Sequence, residues 1–560
     1  MAVIARVILP ALFVAPALAQ DDPGQSRLLS VKTRLLFAHP TDSVVPETLR
    51  TSEIGRVALV VKMKNGRERV LLDGKPQEPF ASIVPPEAMA AAQKLPEQQR
   101  ALLRASEGAA SRILRFTPDQ QRVYYRAFDG KGYVIASDRG KSQTYTSIMD
   151  DMPVFSPNSK AIAFVAGKGG RYVVVLNDRE IGAFDDVLVG SLLFSPAGER
   201  LAFCALKSGE WRVMCDSNSY RALEGVGGMT FSPDSRRLAY VAFSKTNRAT
   251  VMVDGQAVGE YDAVGEQSLG FSPDSKRLVF AAVHPDRKWY VHAVGSETAK
   301  PFGPYEAIGE ESGAPRFSRD GLRLVWTAQV GSSWQVFENG QPLKSASGGP
   351  LSGRDILAGT PRLSNDSKRL AVGVRRDRGW VVWCDGEESA NFDSIEEDSL
   401  RFTRDSKRLG FVGRRQGMSV VSLNLKELMT CEDASTTRIS GNDSTGTIAV
   451  AVKRARTPEE LREARLKDRD CLHTYWTILV NGEPTYGPFH DAMPAALGVS
   501  WDGKRICMPA QTREGWAMYV NGERAMNGLP MWYRFHPEKH LLEMIRVEKA
   551  GYELVQEVLE

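Results

Sequence analysis

The chain has 560 residues, with 72 Lys plus Arg against 68 Asp plus Glu, a net charge of +4, 25% charged residues and 42% hydrophobic ones. That balance excludes polyionic tails and disorder as the dominant state and leaves enough apolar residues for a sizeable core. No apolar stretch of about 18 residues or more follows the first twenty, which excludes a polytopic helical membrane protein.

Met1 to Gln20 reads MAVIARVILPALFVAPALAQ: one early Arg6, an apolar run from Val7 to Val14, then Ala17-Leu18-Ala19 with small residues where a signal peptidase requires them. This predicts a signal peptide over residues 1–19 and export of the mature chain to the periplasm or beyond the cell, with no membrane span. Residues 20–50 form an N-terminal segment in which Leu28 to Phe37 (LLSVKTRLLF) is a candidate ring-closing strand.

A degenerate unit from Val57 to Phe80 is followed by two helical segments between Ile83 and Ser111, each begun by a Pro-Glu pair at Pro86 and Pro96. Proline at the first helical position beside an acid is a start signal. From there one phrase recurs at intervals of about forty residues: FTPDQQRVYY from Phe116, FSPNSKAIAF from Phe155, FSPAGERLAF from Phe194, FSPDSRRLAY from Phe231 and FSPDSKRLVF from Phe271. Weaker copies begin at Phe317, Leu363, Phe402, Ile439, Val499 and Phe535, so that about twelve units fill the chain.

Each unit reads as a four-stranded meander. In the Phe231 unit, Gly228 to Phe231 is an apolar strand, Ser232-Pro233-Asp234-Ser235 a turn, Leu238 to Phe243 and Thr250 to Val253 two further strands, and Tyr261-Asp262 ends a fourth. Asp254-Gly255 supplies the positive-φ pair of a tight type I′ hairpin, and the same turn recurs as Asp73-Gly74, Asn339-Gly340, Asp385-Gly386, Asn481-Gly482 and Asn521-Gly522. Four short strands cannot bury their faces alone, but radially stacked copies share a core, which is the signature of an all-β propeller.

The phrase FSPDSKRLxF, the VxVDG hairpin and the aromatic-Asp ending resemble the repeat of the TolB-type propellers, exported relatives of the WD repeat. The resemblance covers nearly all of residues 57 to 560 and implies fold rather than activity. Twelve blades exceed the usual single ring, so two tandem six-bladed propellers are expected, residues 51–315 with the insert 86–105 and residues 316–560 with a second insert at 457–469. A five-plus-seven division or one large ring stays open.

The second insert begins Thr457-Pro458-Glu459-Glu460, a capping box with proline at the first turn. In an up-and-down blade, the link between second and third strands and the link to the next blade emerge on one face, and both inserts fall there. Rigid scaffolds concentrate binding in variable loops. The same links carry Arg375, Arg376 and Arg378 in one unit, Arg414 and Arg415 in the next, then Lys453, Arg454 and Arg456. This basic patch is the candidate ligand-binding surface, for a protein partner or an anionic envelope polymer; its bland reading is a solvated rim that discourages strand pairing. Nucleic acid is not expected, given export and balanced charge.

Catalytic and metal signatures are wanting. Trp211, Trp289, Trp334, Trp380, Trp476 and Trp516 share one repeat position, which favours packing over a sugar platform. His536 and His540 in HPEKH replace a repeat turn and lack the order of HExxH, and the other histidines are read as scattered. Gly140-Lys141-Ser142 lacks the first glycine of a phosphate loop, and no GxSxG elbow is present. Asp119, Asp234, Asp274, Asp320, Asp366, Asp405 and Asp502 recur as turn residues. Six cysteines without a CxxC pair leave Cys204–Cys215 and Cys431–Cys471 as alternatives for a bridge. The reading is therefore an exported, non-catalytic propeller scaffold without cofactor or metal; the alternative is a propeller-type lyase or glycoside hydrolase acting on a polysaccharide.

Overall fold

The computed structural model describes residues 31–37, 43–52, 56–84, 113–149, 153–221, 224–295, 300–310, 313–397, 399–434, 438–439, 447–467, 473–500, 503–527, 532–536, 541–548 and 551–558. The expected signal peptide and the insert 86–105 lie outside them. Within them, twelve antiparallel sheets succeed one another, each built on a path of four strands. This is an all-β propeller, and the sheets are its blades. The Phe231 unit is representative, with strands Gly225–Phe231, Leu238–Phe243, Ala249–Val253 and Gln256–Tyr261.

Local chemistry explains why each unit folds this way. Asp254 and Gly255 have φ of 50° and 82°, the left-handed pair a type I′ turn requires. Asp254 Oδ1 also accepts the Leu238 N–H at 2.8 Å, tying the turn back to the second strand. In eight blades the first strand is broken into two short pieces. The bulge between them leaves an N–H of the second strand without its carbonyl, and in the fourth, sixth and ninth blades a serine hydroxyl replaces it. Ser191 Oγ accepts from Cys204 N at 3.1 Å, Ser268 Oγ from Ala281 N at 2.8 Å and Ser399 Oγ from Val412 N at 3.1 Å.

The twelfth blade departs from chain order. Trp532–His536, Leu541–Glu548 and Gly551–Val558 are completed by Val31–Phe37, with Val31 opposite Glu557 and Phe37 opposite Tyr552. Five residues then separate Phe37 from Ser43, where the first strand of the first blade begins.

Cores form between blades rather than within them, because the sheets of the second to tenth blades each present two apolar faces. Val279, Val291 and Tyr305 of the sixth blade pack with Leu324, Trp326 and Phe337 of the seventh. Clusters of this kind join each consecutive pair from the first blade to the eleventh. The two-ring division expected near Pro315 is therefore not marked by any break in this packing.

The recurrent phrase is the mortar between blades. Ser232 Oγ donates to Asp234 Oδ1 at 2.6 Å and accepts the Arg237 N–H at 2.9 Å, closing the turn. The Asp234 N–H then crosses to Ser275 Oγ of the next blade at 3.0 Å. The phrase's arginine also crosses. Arg369 Nε donates to Asp385 of its own blade at 2.8 Å, Nη1 donates to the Lys407 carbonyl of the next blade at 2.8 Å, and Nη2 donates to Cys384 Sγ at 3.3 Å.

Candidate functional site

Carboxylates on the inter-blade links fix where those links lie. Asp185, between the third and fourth blades, accepts from Arg171 of the third at 3.1 Å and from the hairpin N–H of Ser208 in the fourth at 2.8 Å. Glu306 likewise joins Lys288 of the sixth blade at 3.2 Å to Gly331 N of the seventh at 3.0 Å. Inter-blade links and second-to-third-strand hairpins thus meet on one face. The turn phrases and Asx-Gly turns occupy the other, where their polar groups are engaged in the bonds described above.

The link face carries the helix Pro458–Lys467. Its capping box is formed reciprocally: the Glu460 N–H donates to Thr457 Oγ1 at 3.2 Å and the Thr457 N–H to Glu460 Oε2 at 2.9 Å. The second oxygen of Glu460 accepts from Arg454 at 2.6 Å. Arg454 and Arg456 both lie over the Tyr475 ring, at 5.0 and 4.5 Å from its centroid. Leu466 at the far end of the helix is 83% exposed.

The arginines singled out in the sequence fall on the hairpins of the eighth, ninth and tenth blades, and neighbouring acids engage several of them. Arg376 pairs with Glu388, Arg414 with Glu396 at 2.8 Å and Asp433 at 3.9 Å, and Arg415 with Glu427 at 2.5 Å. Arg415 also lies over Phe392. Arg375 and Arg378 are exposed beside the Asp377–Arg354 pair. The basic run in the sequence is thus a mixed-charge rim, because acids from the outer strands and the next link interleave with it.

An open cavity of about 170 Å³ lies between the seventh and eighth blades, lined by Glu310, Thr327, Trp334, Asp355, Leu357 and Thr360 among others. The bulge of the seventh blade has Ala314 where its neighbours have a hydroxyl residue, and Thr327 substitutes from the second strand, donating to the Gly313 carbonyl at 3.3 Å. A Cβ on Gly309 or Gly313 would collide with Thr327 Oγ1, so this backbone must be glycine. Two carboxylates beside an indole suit a polyhydroxylated or cationic group. Trp334 therefore has a solvent-facing place, whereas Trp289, Trp380 and Trp476 join inter-blade clusters.

Other assignments turn out more structural or more connected than the sequence suggests. Asp234, Asp274 and Asp320 are held below the usual carboxylate range, first by the hydroxyls of Ser232, Ser272 and Ser318 and next by a backbone N–H two residues on. Asp502 and His540 lie outside the described residues. Cys204, Cys215, Cys384, Cys431 and Cys507 are free and buried, which corrects the Cys204–Cys215 alternative, while Cys471 lies outside the described residues. His284 and His292 are not scattered: the sixth blade's hairpin brings their Nε2 atoms to 2.9 Å, against Tyr261. Burial, and then the neighbouring His284, push His292 down to about 4. Among the described residues no group of three or more His, Cys, Asp or Glu is placed to hold a metal ion.

No protein family model matches this chain, and no curated protein matches it either. Among solved structures it is similar to a structure titled as the eukaryotic initiation factor, at 13% identity and a TM-score of 0.30 over 55% of this chain and 84% of that one. It is similar to TolB from Acinetobacter baumannii at 16% identity and a TM-score of 0.22 over 52% and 75% of the two chains. The Dos1 propeller matches at 15% identity and a TM-score of 0.27 over 55% and 91%. At these identities the likeness concerns architecture, and function rests on the site itself. Among the described residues no helix is long and apolar enough to cross a membrane.

Proposed function

We propose that this protein is an exported, non-catalytic propeller scaffold that binds a protein or envelope polymer through the link face. The observation that carries the reading is the asymmetry of the two faces. On the turn face, the phrase's serine, aspartate and arginine spend their hydrogen bonds within and between blades, as Ser232, Asp234 and Arg369 do. On the link face stand unrepeated features: the helix Pro458–Lys467, the exposed Leu466, the arginine pair over Tyr475 and the cavity at Trp334. An exposed leucine on a mixed-charge rim favours a protein over a uniformly anionic polymer. The leader-like residues 1–19 support export.

The test replaces residues 86–105 and 457–469 separately by short glycine-serine links and compares capture from envelope extract with the intact chain. A partner retained by the intact protein and lost with either replacement supports the link face. Equal capture by all three forms sinks it.

A second reading, an enzyme acting on polysaccharide, draws on Glu310 and Asp355 sharing one cavity with Trp334. If it holds, glycan cleavage by the intact chain disappears in E310Q and D355N. Absence of cleavage across an envelope glycan panel removes it.

A further inference from the structure

The hairpin of the sixth blade departs from its neighbours at two positions, and the two departures meet. Opposite the third residue of the second strand stand Met252 in the fifth blade, Phe337 in the seventh and Trp383 in the eighth, whereas the sixth has His292 opposite Phe280. The first residue beyond that strand is Ser244 in the fifth blade and His284 in the sixth, in hairpins closed by the same pair of backbone bonds. The two imidazoles bring their Nε2 atoms to 2.9 Å. Blade packing asks for neither histidine, since the fifth blade closes the same hairpin with serine and methionine.

Aromatic rings wall the pair. Phe280 stacks on His292 with centroids 4.8 Å apart and planes at 4°, Tyr261 of the fifth blade meets His292 edge-on at 4.9 Å, and Tyr290 lies 4.2 Å from His284. The hairpin's one acid, Asp286, is engaged elsewhere, accepting from the Tyr290 hydroxyl at 2.7 Å and from the Lys288 N–H at 3.0 Å. Each neutral imidazole carries one N–H and one lone pair. With hydrogen on one Nε2 the contact is a hydrogen bond; with hydrogen on both Nδ1 atoms, two lone pairs converge on one point.

We propose that His284 and His292 form a copper site that takes Cu(I) between their Nε2 atoms. Imidazole suits copper, and a site of two neutral nitrogens suits an ion content with two ligands. Divalent ions such as Zn2+ take more protein ligands, and among the described residues no group of three or more His, Cys, Asp or Glu is placed to supply them. A single positive charge is also less costly to desolvate than a double one, and the aromatic faces attract a cation. A metal–imidazole bond is about 2 Å long, so the nitrogens must part somewhat on binding. His284, half-buried and beyond the end of the strand Leu278–Val283, is the ring that withdraws. The hydrogen held on Nε2 passes through water to Nδ1 of the same ring, so no net proton is released and the copper keeps its oxidation state. The site does not rest on the scaffold reading.

The experiment is an anaerobic competition for Cu(I), kept reduced by ascorbate, between the purified full-length chain and a chromophoric Cu(I) chelator, read by absorbance. The expected result is one Cu(I) withdrawn per chain, with affinity weaker by about tenfold or more in H284S and in H292L, because even outer-shell substitutions cost that much at metal sites. H284S installs the serine of the fifth blade's hairpin and so preserves the turn, and H490Q, on another link, should bind as the parent does. X-ray absorption of the copper-loaded chain should show a first shell of two nitrogens without sulfur, which separates the histidine pair from the thiols. No copper withdrawn from the chelator, sulfur in the first shell, equal affinity in the intact chain and H284S, or displacement of Cu(I) by an equal concentration of Zn2+ overturns the proposal.

Discussion

Arg369 of the eighth blade lies over Phe402 of the ninth, its guanidinium carbon 5.1 Å from the ring centroid, while its Nε holds Asp385 at 2.8 Å. One side chain thus joins a hairpin turn, a neighbouring ring and a neighbouring backbone. R369A is expected to cost about 2 kcal/mol in urea unfolding. R369K should recover less than half, since an ammonium's three donors radiate from one nitrogen and cannot span the partners of Nε, Nη1 and Nη2. The R369A/F402A cycle should show a coupling of about 1 kcal/mol. Additive losses would show that the stacking contributes nothing.

Ser275 tests the hydrogen bond between turns. It sits at φ 62° and its Oγ accepts the Asp234 N–H at 3.0 Å. S275A removes the acceptor and keeps the left-handed strain, so a loss of about 1–2 kcal/mol is expected. S275G removes the acceptor and relieves the strain, and should lie between alanine and the parent. If glycine is as damaging as alanine, backbone strain has no part in the loss.

His292 gives stability an acid-side dependence. Its folded pKa of about 4 lies below the ordinary 6.5, so the unfolded chain takes up a proton first as the pH falls. Its contribution is whole above about 6.5 and is lost as the pH falls through that window, by at most about 3 kcal/mol. H292Q should flatten stability between these values in urea titrations at stepped pH. An unchanged slope would assign the dependence to other groups.

Below that window the turn carboxylates take over. The pKa values of Asp234, Asp274 and Asp320 are lowered in the folded chain, so the stability they add is present above the ordinary carboxylate value and lost as the pH falls below it. D234N and D274N should shift the acid midpoint of unfolding upward by weakening the turn at every pH, measured by circular dichroism.

The buried thiols are expected to be inert in the folded state. Burial pushes Cys204, Cys384, Cys431 and Cys507 up to about 12, and Cys215 up to about 11. A thiol reagent at pH 8 should label these five only on unfolding, within one kinetic phase. Rapid native labelling of Cys384 would contradict its packing beneath Arg369.

Much of the architecture was legible because its causes are local and repeated. The Asx-Gly pairs need positive φ wherever they occur, and Asp73, Asp254 and Asn339 take φ of 53°, 50° and 48°. The capping box at Thr457 and Glu460 closes within one helical turn. What spacing could not convey is which groups of different blades meet. His284 and His292 are distant enough in sequence to look unrelated, yet strand register brings their rings together. The hydroxyl residue three positions before several of the recurrent aromatics, as in Ser268-Leu269-Gly270-Phe271, was a readable signal for the bulge, but its partner is an N–H on another strand.

The sequence by itself determined the four-stranded unit, its turns and its repetition, because hydrophobic alternation and turn chemistry act over a few residues. Only the tertiary structure decided how charge is distributed. Arg376, Arg414 and Arg415 read as a cationic run and are met by Glu388, Glu396 and Glu427. Coulomb energy depends on distance in space and on burial, and both are set by how blades pack.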